Sequence, residues 1–307
     1  MAHQTKNPAI AMRAGVSPSC VSLPRMRQSP WETVLDHLAE RLPAVSREEW
    51  AARMSSGSVL GEDGQPLRPD RPYAHGARVY YWRELPTEDR IPFEIGIVFE
   101  DELLVVADKP HFLPVTPGGR YVRETLLVRL KDQLGCADLS PLHRIDRETA
   151  GLVVLSKRPQ DRDAYQGLFR DRRVAKRYLA IAAAPEGLEF PLRRKSRIVE
   201  NESEFFRMRE AEGEANSETL IRVLQVRGPR ALYELEPVSG KRHQLRVHMQ
   251  ALGLPIEGDQ FYPQVKRGPD EAEDYREPLQ LLAQSLSFVD PISGQGREFI
   301  SQLRLNW

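Results

Sequence analysis

Cysteine is nearly absent from this chain of 307 residues, with two in all. Cys20 and Cys136 stand too far apart to form a paired metal-ligand motif, which disfavours a disulfide framework and a cysteine-based zinc site. Long apolar runs are missing too: the longest, Leu179 to Ala184, has six residues, far short of the ~18 that a membrane helix requires. Charge of one sign is also lacking, because 44 Lys and Arg balance 44 Asp and Glu. That balance argues against a chain that coats nucleic acid non-specifically. No internal repeat and no glycine-rich phosphate loop is visible. What remains, 40% hydrophobic and 29% charged residues, is the composition of a globular protein long enough for one large domain and a small one. Residues 1–28 mix Pro, Ser, Arg and Gln without an apolar core, so they read as a flexible tail and not as a secretory signal. The expectation is a cytoplasmic monomer without a membrane segment.

The zero net charge hides local segregation. Arg170 to Tyr178 (RDRRVAKRY), Arg193 to Arg197 (RRKSR) and Lys241 to His248 (KRHQLRVH) are basic, and the balancing acid lies in Glu200 to Glu218 and Asp270 to Glu277. The three basic segments are candidate phosphate-contacting surfaces, although any one of them alone is more often a solvated face.

Apolar spacing predicts two helices, one through Val34, Leu35, Leu38 and Leu42 and one after Ser46, where Glu49 completes a capping-box pattern ahead of Trp50. Val59 and Ala77 to Trp82 read as strands around a turn, so residues 29–84 form a helix-helix-strand unit and 85–92 a linker. From 93 to 307 strand and helix signals mix. Ile95 to Phe99, Leu103 to Ala107, Leu152 to Leu155 and Leu179 to Ala183 read as strands. Leu126 to Leu134 and Tyr165 to Phe169 read as helices, and Leu220 to Val238 as a hairpin about Gly228-Pro229. Without a repeating βαβ period, the fold class expected is α+β with a mixed, largely antiparallel sheet.

Chemistry-bearing residues gather at two places. Pro141 to Lys157 (PLHRIDRETAGLVVLSK) packs His143, Arg144, Asp146, Arg147 and Glu148 just before a buried strand. A loop Asp among Arg residues is ionised at neutral pH and is able to act as a nucleophile, but taken alone it is more often one half of a salt bridge. In Ser239 to Met249 (SGKRHQLRVHM), Leu245, His248, Met249 and Leu252 form an apolar stripe, leaving His243, Arg246 and Gln250 together on another face. His243 and His248 are five apart, which does not match the zinc-hydrolase spacing of four. His248 reads as a core histidine with a satisfied hydrogen bond.

These residues also carry a family resemblance. His143-Arg144-Ile145-Asp146-Arg147, with Thr149 and Gly151-Leu152, resembles the catalytic motif of the RluA-type pseudouridine synthases. Lys176-Arg177-Tyr178-Leu179-Ala180 is similar to their second motif. Ser239 to His248, with Gly258-Asp259 and Tyr262 downstream, resembles the third, and Lys109-Pro110 with Leu113-Pro114-Val115 their opening strand and turn. Ala150, Lys241 and His111 depart from the usual residues without removing a reacting group. Residues 29–84 resemble, more weakly, a degenerate α-L RNA-binding module, with Glu48 and Glu49 in a helix where that module is commonly basic.

The resemblance implies isomerisation of uridine in ribosomal or transfer RNA, without a cofactor and without a metal. It makes 93–307 the catalytic domain and Asp146 the nucleophile, acting on base or sugar. Tyr178 would stack under the uracil and take part in the later proton transfer from carbon 5, and Arg246 would pair with Asp146. Arg144 would fill the space left by an extruded base. Lys109, His143, Lys176, Arg242 and His243 would bind RNA, although Lys109, His143, Arg242 and His243 serve equally well as loop supports. The competing readings are a non-catalytic RNA-binding protein on the same basic face and a metal-dependent hydrolase built on Asp146 and His residues.

Overall fold

The computed structural model describes residues 7, 10–83, 88–268, 271 and 273–307. It divides into two compact units: Met1–Glu88 with Gly119–Arg123 and Val128–Ala137, and Asp89–Gly118 with Glu124–Leu127 and Asp138–Trp307.

In the first unit, β1 (Ser19–Ser22), β2 (Val59–Leu60) and β3 (Arg78–Tyr81) form an antiparallel sheet in the order β1-β3-β2, together with α1 (Val34–Arg41) and α2 (Arg47–Ser55). Leu23, Leu35, Leu38, Trp50, Met54, Val59 and Val79 close its core. Thr33 and Asp36 make a full capping box at α1. Ser46 accepts from the Glu49 amide at α2, but the Glu49 carboxylate pairs with Arg53 one turn on, so the capping box expected there is half made. The expected tail is shorter than 28 residues. Ser19–Ser22 pairs with β3, and Ile10, Val16 and Leu23 are buried. A four-residue edge strand next to prolines carries too little periodicity to be read as a strand. Of the expected linker, 85–87 lie outside the described residues. Ile91 is buried, and its amide donates to Glu124 within the second unit.

The second unit is built on β4 (Gly96–Glu100), β5 (Leu104–Lys109), β6 (Ser140–Pro141), β7 (Ala150–Ser156), β8 (Ala175–Ala183), β9 (Leu192–Glu200), β10 (Met208–Ala211), β11 (Ser217–Arg227), β12 (Arg230–Pro237), β13 (Leu281–Val289) and β14 (Gly296–Ile300). Among the described residues these make one eleven-stranded sheet, ordered β10-β9-β11-β12-β8-β13-β7-β5-β4, with β14 on β13 and β6 on β7. Every pairing is antiparallel except β13 with β7. The fold class is therefore α+β with a mixed, largely antiparallel sheet. Helix α3 (Leu126–Leu134) ends at Gly135 and is shared between the units by residue. Helices α4 (Arg162–Arg170) and α5 (Gln244–Ala251) belong to the second unit. Among the described residues no helix is long and apolar enough to cross a membrane.

Two features aim the sheet at one place. Gly151 has φ 108°, and a Cβ there would lie 2.4 Å from the Ala283 carbonyl oxygen, so only glycine lets β13 run beside the start of β7. The loop 142–149 is thereby held at the mouth of β8 and β13. Helix α5 buries Leu245 and Met249 against Ala180, Tyr233, Leu235 and Leu281, which fixes the phase of its other residues.

Candidate active site

A cleft of about 420 Å³ opens where the 142–149 loop, β8, the α4 end and the α5 start converge. Six Arg and Lys side chains line it (Arg144, Arg170, Arg172, Lys176, Lys241 and Arg246), and Asp146 is the one carboxylate among its lining residues.

Asp146 leaves the loop just before β7, with about a quarter of its side chain exposed. Its Oδ2 accepts from Arg246 Nη1 at 3.3 Å. Arg246 is wholly buried and held from behind: Nε and Nη2 donate to the two oxygens of Asp259 at 2.8 and 2.7 Å, and Nη1 lies 3.7 Å from Glu148. Burial opposes the guanidinium charge, but the Asp259 hydrogen bonds and the charges of Asp146 and Glu148 more than restore it and raise its pKa. Asp259 Oδ1 also accepts from the amides of Phe261 and Tyr262. Gly258, at φ 73°, presents Asp259 from a turn where a Cβ would lie 2.2 Å from the Pro278 carbonyl oxygen. Burial would push the Glu148 carboxyl up, but Arg147 and Arg246 hold it below its usual range, so the arginine serves three carboxylates.

Tyr178 sits on β8 between β12 and β13 and lines the cleft. Burial, then the nearby Asp146 charge, push its phenol up, so it is protonated at neutral pH. A neutral phenol is a stacking surface and a hydrogen-bond donor.

His243 caps α5 in the left-handed region (φ 54°) and is not on a helical face with Arg246 as expected; Gln250 does not line the cleft. The Nε2 of His243 lies 4.0 Å from Asp146 Oδ1, its Nδ1 pairs with the Tyr262 hydroxyl, and its ring stacks on Phe261. Burial lowers it to about 4, so it faces Asp146 as a neutral ring. His143 lines the cleft, but its Nε2 accepts from the Val154 amide, its ring stacks on Phe169 at 4.5 Å, and burial lowers it to about 3. It is a neutral wall and not a cation for phosphate. Arg144 is exposed at the cleft, and Lys176 lines it with its pKa lowered by burial and by Arg172.

Two expected RNA contacts lie off the cleft. Lys109 is fully buried and donates to the carbonyls of Pro110 and Arg147, and burial lowers it to about 7, so it ties down the 142–149 loop and does not meet a phosphate. Arg242 is spent on the carbonyls of Phe205 and Phe206, at 3.0 and 2.6 Å. Of the three basic segments, the first and third reach the cleft. Arg193 to Arg197 lies on β9, where Arg193 and Lys195 meet Glu218 and Arg194 meets Glu210. His248 is the core histidine expected, bonded to Thr219, Ser196 and Ser217. Arg170, Arg172 and Lys241 belong to the basic segments expected to contact phosphate, whereas the roles of Asp259 and Glu148 beside Arg246 were not read from sequence. The Gly258-Asp259 pair was the available signal for Asp259.

These placements separate two lysines by experiment. Lys176→Met is expected to flatten the slope of log K for RNA against log salt by about one unit, because a phosphate contact releases a counterion. Lys109→Met is expected to leave that slope unchanged and to lower turnover, because two loop carbonyls lose their donor. A flattened slope in Lys109→Met would return that residue to the RNA surface.

A family model described as RNA pseudouridylate synthase matches residues 103–251. An RNA pseudouridine synthase of Synechocystis sp., described as uncharacterized, is 29% identical over 75% of this chain and 79% of its own. The dual-specificity RNA pseudouridine synthase RluA of Vibrio cholerae is 31% identical over 65% of this chain and 79% of its own. Among solved structures, human RNA pseudouridylate synthase domain containing 4 superposes with a TM-score of 0.53 at 28% identity, covering 68% of this chain and 88% of that one.

Proposed function

Because this chain belongs to the RluA-type RNA pseudouridine synthases, we propose that its basic cleft takes an extruded uridine of ribosomal or transfer RNA, with Asp146 as the nucleophile. The observation that carries this reading is a single carboxylate in a cleft lined by six cations, bonded to a buried arginine. A protein that merely binds RNA gains nothing from a carboxylate there, since it repels phosphate.

The reaction conserves every atom of the nucleoside. The bond from ribose to nitrogen 1 breaks and the bond from ribose to carbon 5 forms. The proton of carbon 5 leaves, and nitrogen 1 regains one. In this reading Asp146 attacks, Arg246 holds it oriented in the cleft, and Tyr178 supports the face of the uracil. Extruding a base costs roughly a few kcal/mol. Arg144, exposed beside Asp146, has the planar head suited to fill the vacated stack.

The test is to map pseudouridine in RNA from cells with and without this protein. One or more ribosomal or transfer RNA positions are expected to revert to uridine in its absence. An unchanged map would overturn the substrate assignment.

A further inference from the structure

Among the described residues the most exposed large hydrophobic side chain is Phe205, at 79%. It stands in the 201–207 turn that joins β9 to β10. An isolated surface aromatic needs no explanation, but this one is held in place. Arg242 donates to the carbonyls of both Phe205 and Phe206. Glu204 pairs with Arg207, whose guanidinium also donates to the Pro263 carbonyl, and Asn201 accepts from Ser203. The Phe205 ring meets Phe206 edge to face at 5.6 Å, Phe206 meets Phe261 at 5.5 Å, and Phe261 stacks on His243 at 5.8 Å. His243 in turn faces Asp146. A chain of four aromatic rings thus runs from beside the carboxylate to a face left open to solvent, and an arginine of the same Ser239 to His248 segment that supplies Arg246 fixes its outer end.

We infer that Phe205 is a stacking platform for an unpaired nucleobase adjoining the target uridine. This rests on the reading of the cleft as an RNA site. Every base has a π face, so such a platform strengthens binding with little sequence preference. The site needs one, because extruding the target unstacks its neighbours, and an exposed aromatic linked by ring contacts to His243 of the cleft lining recovers part of that loss. The alternative occupant of an exposed phenylalanine is a second copy of this chain, and the test includes it.

The probe is a fluorescein-labelled oligouridylate, titrated by anisotropy into the full chain and its Phe205→Ala, Phe205→Leu and Phe205→Trp variants. Alanine and leucine are both expected to weaken binding by about 5- to 150-fold, and tryptophan to match or exceed wild type. The salt slope should be the same in all four proteins, since no phosphate contact changes. On an abasic oligomer of equal length, wild type and Phe205→Ala should bind alike. Leucine equal to wild type would reduce Phe205 to a greasy contact, and alanine equal to wild type would remove it from the RNA surface. A variant that changed the sedimentation coefficient and not the affinity would assign the ring to self-association. Each of these overturns the inference. Pseudouridine formation measured in parallel keeps it separate from the proposed activity: the platform fails alone if Phe205→Ala binds and modifies RNA normally, and the activity fails alone if wild type binds through Phe205 but modifies nothing.

Discussion

Asp146→Asn is expected to lower pseudouridine formation by on the order of 10⁴-fold or more, the scale seen when a covalent nucleophile is removed, while folding and RNA affinity stay nearly unchanged. The geometry separates these effects. Arg246 keeps its two hydrogen bonds to Asp259 when Asp146 loses its charge, so no buried cation is stranded. The loop is anchored independently of Asp146, by Lys109 on the Arg147 carbonyl and His111 on the Glu148 carbonyl. An amide has the carboxylate's shape and none of its nucleophilicity. Affinity should if anything rise, because the single negative charge has left a cleft of six cations. Release of the carbon 5 proton, followed as tritium from labelled RNA under single-turnover conditions, reads the chemistry, and filter binding reads the affinity. Turnover above trace in a folded Asp146→Asn protein would take the nucleophile away from this residue.

The residue types of the cleft were legible in the sequence, and several of their roles were not. Asp146, Tyr178 and Arg246 lie in three segments, a charged loop before a buried run, a strand, and a helix stopped by Gly253, and their joint resemblance to one family, not any one local pattern, singles them out. The fold class followed from strand and helix signals that mix without a βαβ period. Burial was harder to read, because distant chain decides it. Lys109 looks like a phosphate ligand until the Arg147 carbonyl, 38 positions on, is seen to receive its ammonium. His143 looks cationic until the Val154 amide occupies its Nε2. The Arg193 to Arg197 run looks like an open basic face until β11 brings Glu218 against it. Pairing across a sheet neutralises charges that are separated in the chain, and no local window contains both partners. Asp259 escaped for a related reason: its role depends on a turn that Gly258 permits and on the phase of α5 thirteen residues earlier.

That long-range pair gives the second large expected effect. Arg246→Met would leave Asp259, 1% exposed, without a guanidinium, and Glu148, 4% exposed, with Arg147 alone. Breaking a buried pair by removing one partner costs about 3 to 5 kcal/mol, so the variant should unfold at markedly lower denaturant with the same m value and lose activity. Arg246→Lys should suffer less, because the charge stays, yet remain below wild type, because an ammonium cannot span both Asp259 oxygens as Nε and Nη2 do. Asp259→Asn placed on top of Arg246→Met removes the stranded carboxylate. The double variant should therefore recover at least about 1 kcal/mol relative to the sum of the single effects. Its activity should not recover with its stability, because Asp146 still lacks its donor. A split of that kind marks Arg246 as a group that positions the nucleophile as well as a bond in the core. If the two substitutions simply added, the buried-pair account would be wrong. If Arg246→Met turned over as fast as wild type, Arg246 would belong to the core alone.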